Sequence, residues 1–212
     1  MSDFRYYRPD TFPPIVKNLI IINAIVFVAG IAFQKQYDLT GLLMLWPLPS
    51  DAFAPYQIAT HMFAHASLGH LFFNMLGLWM FGRMLENAWG PKRFLLFYFV
   101  CGIGAAAVHL VMQYLRWENG ASEIIGPMLG ASGAIMGVMA GVAYLFPNTE
   151  IYLYMLFPIK AKWLVIVLAL LDLYGGFVGT GDRIAHFAHL GGALTGFILV
   201  LIWNKTNRRR FY

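Results

Sequence analysis

Ala188-His189-Leu190-Gly191-Gly192-Ala193-Leu194-Thr195-Gly196 lies inside an apolar run that continues through Phe197, Ile198, Leu199, Val200, Leu201 and Ile202 to Trp203. A titratable histidine in a segment long enough to cross a bilayer is costly, and such groups are kept where they bond a neighbour or do chemistry. A second apolar run opens on Gly130-Ala131-Ser132-Gly133. A nucleophile and a base therefore stand at matching depth in two apolar segments.

The rest of the chain fits a membrane setting. With 59% apolar and 12% charged residues and a mean hydropathy of +0.63, 212 residues supply too little polar surface to cover a water-soluble globule. A span needs about 20 apolar residues to cross roughly 30 Å of hydrocarbon. Six runs qualify as candidates, at about 15–33, 68–85, 94–115, 132–147, 161–178 and 184–203. The expected fold is all-α, a polytopic six-span bundle. Residues 1–14 are a short cytoplasmic segment, 15–203 the membrane domain and 204–212 a basic cytoplasmic tail.

Charge sets the orientation. With both ends in the cytoplasm, the inner segments hold Arg5, Arg8, Lys17, Arg83, Lys92, Arg93, Lys160, Lys162, Lys205, Arg208, Arg209 and Arg210, leaving Lys35, Arg116 and Arg183 outside. This split obeys the positive-inside rule. The net charge of +5 then reflects topology, and the terminal arginines meet anionic lipid headgroups rather than nucleic acid. The first run lacks a small-x-small cleavage site and is expected to remain as an anchor. A lone cysteine, Cys101, excludes an intrachain disulfide. The long outer connection 34–67 is rich in aromatic and apolar residues such as Trp46, Phe53 and Tyr56, which suits an interfacial or re-entrant loop packed beside the bundle. No internal repeat argues for a transporter.

Depth brings four polar groups together. Ser132 stands at the outer end of span four, and His189 lies about five residues into span six, roughly 7–8 Å at 1.5 Å per residue. Ser67 is a candidate N-cap for span two, which puts His70 and Asn74 in its first two turns and, four apart, on one face. Acyl transfer needs a nucleophile, a base in hydrogen-bond reach and donors aimed at the developing oxyanion. Ser132 can attack, His189 can take its proton, and His70, Asn74 and the Ser132 backbone N–H can donate, with Gly130 a further candidate for the oxyanion hole. No acidic residue occupies a comparable position on span two or six, so a Ser–His dyad is expected rather than a triad.

Each feature also has a plain structural reading. A serine at a transmembrane helix end commonly caps it, and a membrane histidine can serve only as an interhelical hydrogen bond. His189, Gly192 and Gly196 share one face, and Gly133, Gly137 and Gly141 form a ladder on span four. Such small-residue surfaces let two helices approach closely. A nucleophile elbow, Gly-x-Ser-x-Gly after a strand, is excluded because position 134 is Ala and a span follows. Asp172, in the outer half of span five, is the only acidic residue well inside a span, and it is read as bonding neighbouring helices or a water pocket rather than carrying a proton.

Three motifs together resemble the rhomboid family of intramembrane serine proteases. They are Gly130-x-Ser132-Gly133, Ala188-His189-x-x-Gly192-x-x-x-Gly196, and His61-x-x-x-His65-x-x-x-x-His70-x-x-x-Asn74, in the family's order and over roughly 56–203. The resemblance implies Ser132 as nucleophile, His189 as base, and His70 and Asn74 completing the oxyanion hole. It makes His61 and His65 structural or water-retaining and Glu86 a residue that helps hold the bundle; Gly133, Gly192 and Gly196 support the site. His186 matches no catalytic position. It further implies membrane-protein substrates unwound near the outer surface and a bacterial cytoplasmic membrane with the site opening outward. No metal or other cofactor is expected.

Two departures from the family pattern stand out. A Trp-Arg pair common before the first histidine reads here as Tyr56-Gln57, which bears on loop anchoring, and the aromatic residue often found four after the serine is Met136. Rival readings are a metal or haem protein built on His61 and His65 with His70, His186 or His189, and a non-catalytic rhomboid-like protein that binds membrane clients. The first lacks a His-Glu-x-x-His motif. The second is disfavoured because both the serine and the histidine are kept.

Overall fold

The computed structural model describes residues 9–119, 126–153, 157–178 and 183–206. The readings on the first eight residues and on the tail beyond Thr206, including Arg5, Arg8, Arg208, Arg209 and Arg210, lie outside the described residues. Helices occupy all six expected segments. In chain order, α1 (Pro14–Ala32) precedes two short helices, α2 (Leu39–Leu43) and α3 (Gln57–Thr60). Next come α4 (Leu68–Gly77), α5 (Arg83–Trp89), α6 (Pro91–Glu118), α7 (Ser132–Leu145), α8 (Ala161–Val178) and α9 (Arg183–Thr206). Four stretches, Pro14–Ala32, Pro91–Glu118, Ala161–Val178 and Ala185–Thr206, are long and apolar enough to cross a membrane. Large apolar side chains on their outer faces, among them Ile25, Leu96, Leu170, Tyr174 and Leu194, are exposed, as contact with lipid requires.

Two local differences from the sequence reading appear. The segment expected as one helix over 68–85 runs on to Trp89 and contains a π-helical turn, Leu78–Gly82, between α4 and α5. That widened turn coincides with Gly82, on which Val16, Phe94 and Leu78 close so tightly that any Cβ would displace them. The connection between α7 and α8, to which the sequence reading assigned no element, contains an antiparallel pair of strands, β1 (Glu150–Leu153) with β2 (Phe157–Lys160), in register Glu150 to Lys160.

The core is centred on α6, which packs on α9 and α7 and buries Phe94, Phe97, Tyr98, Cys101 and Ala105. Where α7 meets α9, backbone rests on backbone. A Cβ on Gly192 would land on the Gly133 carbonyl, and one on Gly196 on the backbone of Gly137. Gly141 is turned elsewhere, towards Leu85 and Phe97. Helix α1 is docked from its first turn: the buried Glu86 carboxylate accepts from the Ile15 and Val16 N–H groups, 2.8 Å each, using donors that a helix start leaves without partners. These two bonds tie α5 to the start of α1, a contact in keeping with the bundle-holding role that the resemblance implied for Glu86.

The outer connection folds back onto the bundle. Gln57, buried to 1% exposure, accepts from the Trp46 and Ala54 N–H groups and donates to the Leu42 and Ala52 carbonyls. Thr60 Oγ1 donates to the Leu43 carbonyl at 2.9 Å. A two-residue bridge then joins the connection to the segment before α7: Leu45 N–H donates to the Met128 carbonyl at 2.8 Å, and Met128 N–H to the Leu45 carbonyl at 2.9 Å. Gln57, one of the two residues that depart from the expected Trp-Arg pair, is thus the hub of its loop.

Two histidines of this connection are buried, His61 at 1% and His65 at 4% exposure. Burial pushes the His61 imidazole down to about 4 against the opposing pull of the Gln57 and Ile58 carbonyls. Burial, with the positive charge of His70 beside it, does the same to His65, also to about 4. An unfolded chain would take up these protons near pH 6.5, so the folded form binds fewer protons throughout the interval between and loses stability as the pH falls through it. Each histidine withdraws up to roughly 3 kcal/mol by pH 4. The thermal midpoint in detergent should therefore fall steadily from pH 6.5 to 4 and fall less steeply in His65→Gln; a flat profile would contradict neutral burial.

Candidate active site

Ser132 begins α7 and is half-buried. The chain enters this helix through Gly130, whose φ of +112° falls in the left-handed region that side chains disfavour. A Cβ there would also strike the His70 imidazole. The Gly130 N–H donates to the His61 carbonyl at 2.9 Å. Gly130 is thus corrected as an oxyanion-hole candidate: its donor is already committed, and its place is to leave room for His70. The Ser132 N–H, by contrast, lies in the first turn of α7, where no carbonyl of the same helix can accept it.

His189 projects from α9 to Ser132, with Nε2 at 2.8 Å from Oγ. The glycine contacts bring the two backbones close enough for this: Gly192 and Gly133 lie one turn along from the histidine and one residue from the serine. On α4, Ser67 caps the helix by accepting the His70 N–H at 3.1 Å. His70 Nδ1 faces the Ala66 N–H at 3.5 Å, a long contact that favours the tautomer with its proton on Nε2, the side facing Gly130. Asn74 is buried and donates one of its two amide hydrogens to the His70 carbonyl at 2.8 Å, leaving the second for another acceptor. His65 meets the His70 ring edge-on at 5.1 Å.

Ser132, His189 and Asn74 share a cavity of about 380 Å³, whose lining does not include His70. Its polar lining is Ser132, His189, Asn74, Asp172 and His186, and its apolar lining includes Phe73, Ile135, Met136, Leu168 and Leu171. Met136 lines the same cavity as the imidazole. Helix α8 packs on α9 and α7 but has no comparable contact with α4 among the described residues. Phe73 and Leu171 are 65% and 59% exposed, so the cavity wall between α4 and α8 is edged by side chains that face lipid.

One site residue was missed. Asp172, expected to bond neighbouring helices, does bond α9, and one of its partners is the histidine that faces Ser132: Oδ1 accepts from His189 Nδ1 at 3.2 Å and from His186 Nδ1 at 2.8 Å. The dyad expectation searched for acids only on spans two and six, whereas this carboxylate arrives from span five. A depth comparison could have found it, since Asp172 lies six residues from the end of α8, roughly 9 Å at 1.5 Å per residue, close to the depth of His189. Asp172, His186 and His189 also offer the one group of three metal-ligand-type atoms among the described residues, within 4.8 Å of one another. It is not the His61 and His65 set of the metal reading.

The sequence is similar to known proteins over most of its length. The Rhomboid domain model matches residues 52–205. The mitochondrial RHOMBOID-like protein 12 of Arabidopsis thaliana is 29% identical over 93% of this chain and 60% of its own length. The mitochondrial Rhomboid protein 1 of Saccharomyces cerevisiae is 33% identical over 64% of the chain and 38% of its length. The mouse mitochondrial presenilin-associated rhomboid-like protein is 31% identical over 90% and 50%. The chain thus spans about half the length of the curated relatives it matches. Their mitochondrial names give no support to the expected bacterial membrane. With the family's domain model matched across the region that carries Ser132, His189, His70 and Asn74, this integral membrane protein belongs to the rhomboid family.

Proposed function

We propose that the protein is an intramembrane serine endopeptidase, and the observation that carries this reading is the 2.8 Å contact between Ser132 Oγ and His189 Nε2 inside a membrane bundle. The Ser132 hydroxyl proton passes to His189 Nε2 as Oγ bonds to the scissile carbonyl carbon. The resulting oxyanion is held by the Ser132 N–H, the free Asn74 amide hydrogen and His70 Nε2–H. His189 then returns the proton to the leaving amine as the C–N bond breaks, and water repeats the sequence to release the acyl group.

The substrate is a membrane protein that presents an unwound stretch of transmembrane segment. A helix hides its carbonyls in hydrogen bonds to the N–H groups four residues on, so only unwound backbone can meet Ser132. Entry between α4 and α8 is supported by the lipid-facing edge of the cavity there. The positive-inside count supports a cavity that opens on the side away from the basic surface. The relatives' names point to a mitochondrial membrane as the setting to examine first.

Ser132→Ala and His189→Ala should each abolish cleavage of a transmembrane model substrate, with the double variant no worse than either single one, because members of a catalytic unit are not additive. His186→Ala should keep activity within about tenfold of the parent, since His186 does not touch the serine. Turnover by Ser132→Ala would sink the proposal, and a dead His186→Ala beside an active His189→Ala would move the base.

Oxyanion donors act when charge develops. Asn74→Ala and His70→Ala should therefore lower kcat by roughly 10- to 1,000-fold with little change in KM. A pure rise in KM would make them substrate-positioning groups instead.

A further inference from the structure

The Asp172 carboxylate enters the cavity from a largely apolar helix. Its neighbours on α8 include Leu168, Leu170, Leu171 and Leu173, so its charge has to be balanced across the helix interface. Two histidines of α9 do this through the same oxygen: His186 Nδ1–H at 2.8 Å and His189 Nδ1–H at 3.2 Å. The closeness of α8 and α9 makes it possible, since a Cβ on Gly175 would run into the His186 ring and one on Gly176 into the Phe187 ring. If Asp172 were interhelical glue alone, the shorter bond to His186 would satisfy Oδ1. The second bond instead reaches the imidazole that touches the nucleophile.

We infer that Asp172 is a positioning residue for the base: it fixes the His189 tautomer and steadies the imidazolium formed during the reaction, while His186 holds the carboxylate in place between turnovers. This rests on Ser132 and His189 being the catalytic pair. With Nδ1–H donated to Asp172, the lone pair of His189 is left on Nε2, where the Ser132 hydroxyl proton must go. When that proton arrives, His189 carries a positive charge and its bond to Asp172 tightens from the 3.2 Å of the resting state. The carboxylate keeps its charge throughout, and no proton moves onto it. Its shared oxygen lets it lean from His186 towards His189 without a change of rotamer. The other titratable group whose charge acts on His189 is His70 of α4.

The test uses the full chain in detergent with a transmembrane model substrate. Asp172→Asn, which keeps shape but not charge, should lower kcat by roughly 10- to 100-fold while KM stays within about twofold. Asp172→Glu should recover part of the loss. Thermal melting of both variants guards against misfolding, and a second readout is independent of turnover. In protein labelled with 15N-histidine, the parent and Ser132→Ala should show a downfield proton on His189 Nδ1 that Asp172→Asn lacks. An unchanged kcat in Asp172→Asn, or a downfield proton that survives it, overturns the inference. Activity lost on chelation and restored by Zn²⁺ also overturns it, by assigning the three side chains to a metal. Failure of the protease reading looks different: the parent would then cleave no better than Ser132→Ala.

Discussion

Two helices can bring a serine and a histidine to 2.8 Å only if nothing bulkier than hydrogen stands between their backbones, and that is the condition met where α7 crosses α9. Gly192 rests on the Gly133 carbonyl and Gly196 on the Gly137 backbone. In lipid, where apolar side chains gain little by leaving the lipid tails for one another, this kind of contact is what holds helices together. The same surface therefore stabilises the bundle and sets the reach of His189. Helix α6 locks the pair from behind, with Ala105 against Gly133 and Cys101 against Gly137.

The serine end of this contact is fixed from outside the bundle. Leu45 and Met128 exchange backbone hydrogen bonds, and the His61 carbonyl takes the Gly130 N–H, so the folded outer connection grips the chain on both sides of Leu129 just before α7 begins. That grip depends on Gln57, whose side chain ties four backbone groups of the connection together. The histidine end is fixed by α8 through Asp172. Ser132 and His189 are thus each held by a group outside their own helix, and both line the cavity.

The apolar helices and the approach of Ser132 to His189 were legible in the sequence because both follow from one-dimensional signals: runs of apolar residues, and polar groups at equal depth along them. The same signals could not show sideways contacts. Asp172 was visible as a lone intramembrane acid, yet its partner helix was not, since periodicity says which face a residue occupies but not which neighbour that face meets. Gln57 looked like a departure from a familiar pattern and became the centre of its loop because a primary amide can both donate and accept. Gly130 shows the reverse error: proximity to the serine suggested a donor, but a backbone N–H has one hydrogen, and His61 takes it. The π turn at Leu78–Gly82 and the β1–β2 pair left no signal that periodicity could separate from an ordinary helix and loop.

The claim that close α7–α9 contact creates the reactive pair is tested most directly by the rate at which a fluorophosphonate probe labels Ser132 in Gly192→Val, compared with the parent at equal helical content. A side chain there must push the Gly133 backbone away and draw His189 out of reach of Oγ. Labelling should slow by roughly 100-fold or more, the effect expected when reacting groups are displaced by about 1 Å. Labelling at the parent rate in a folded Gly192→Val protein would contradict the account.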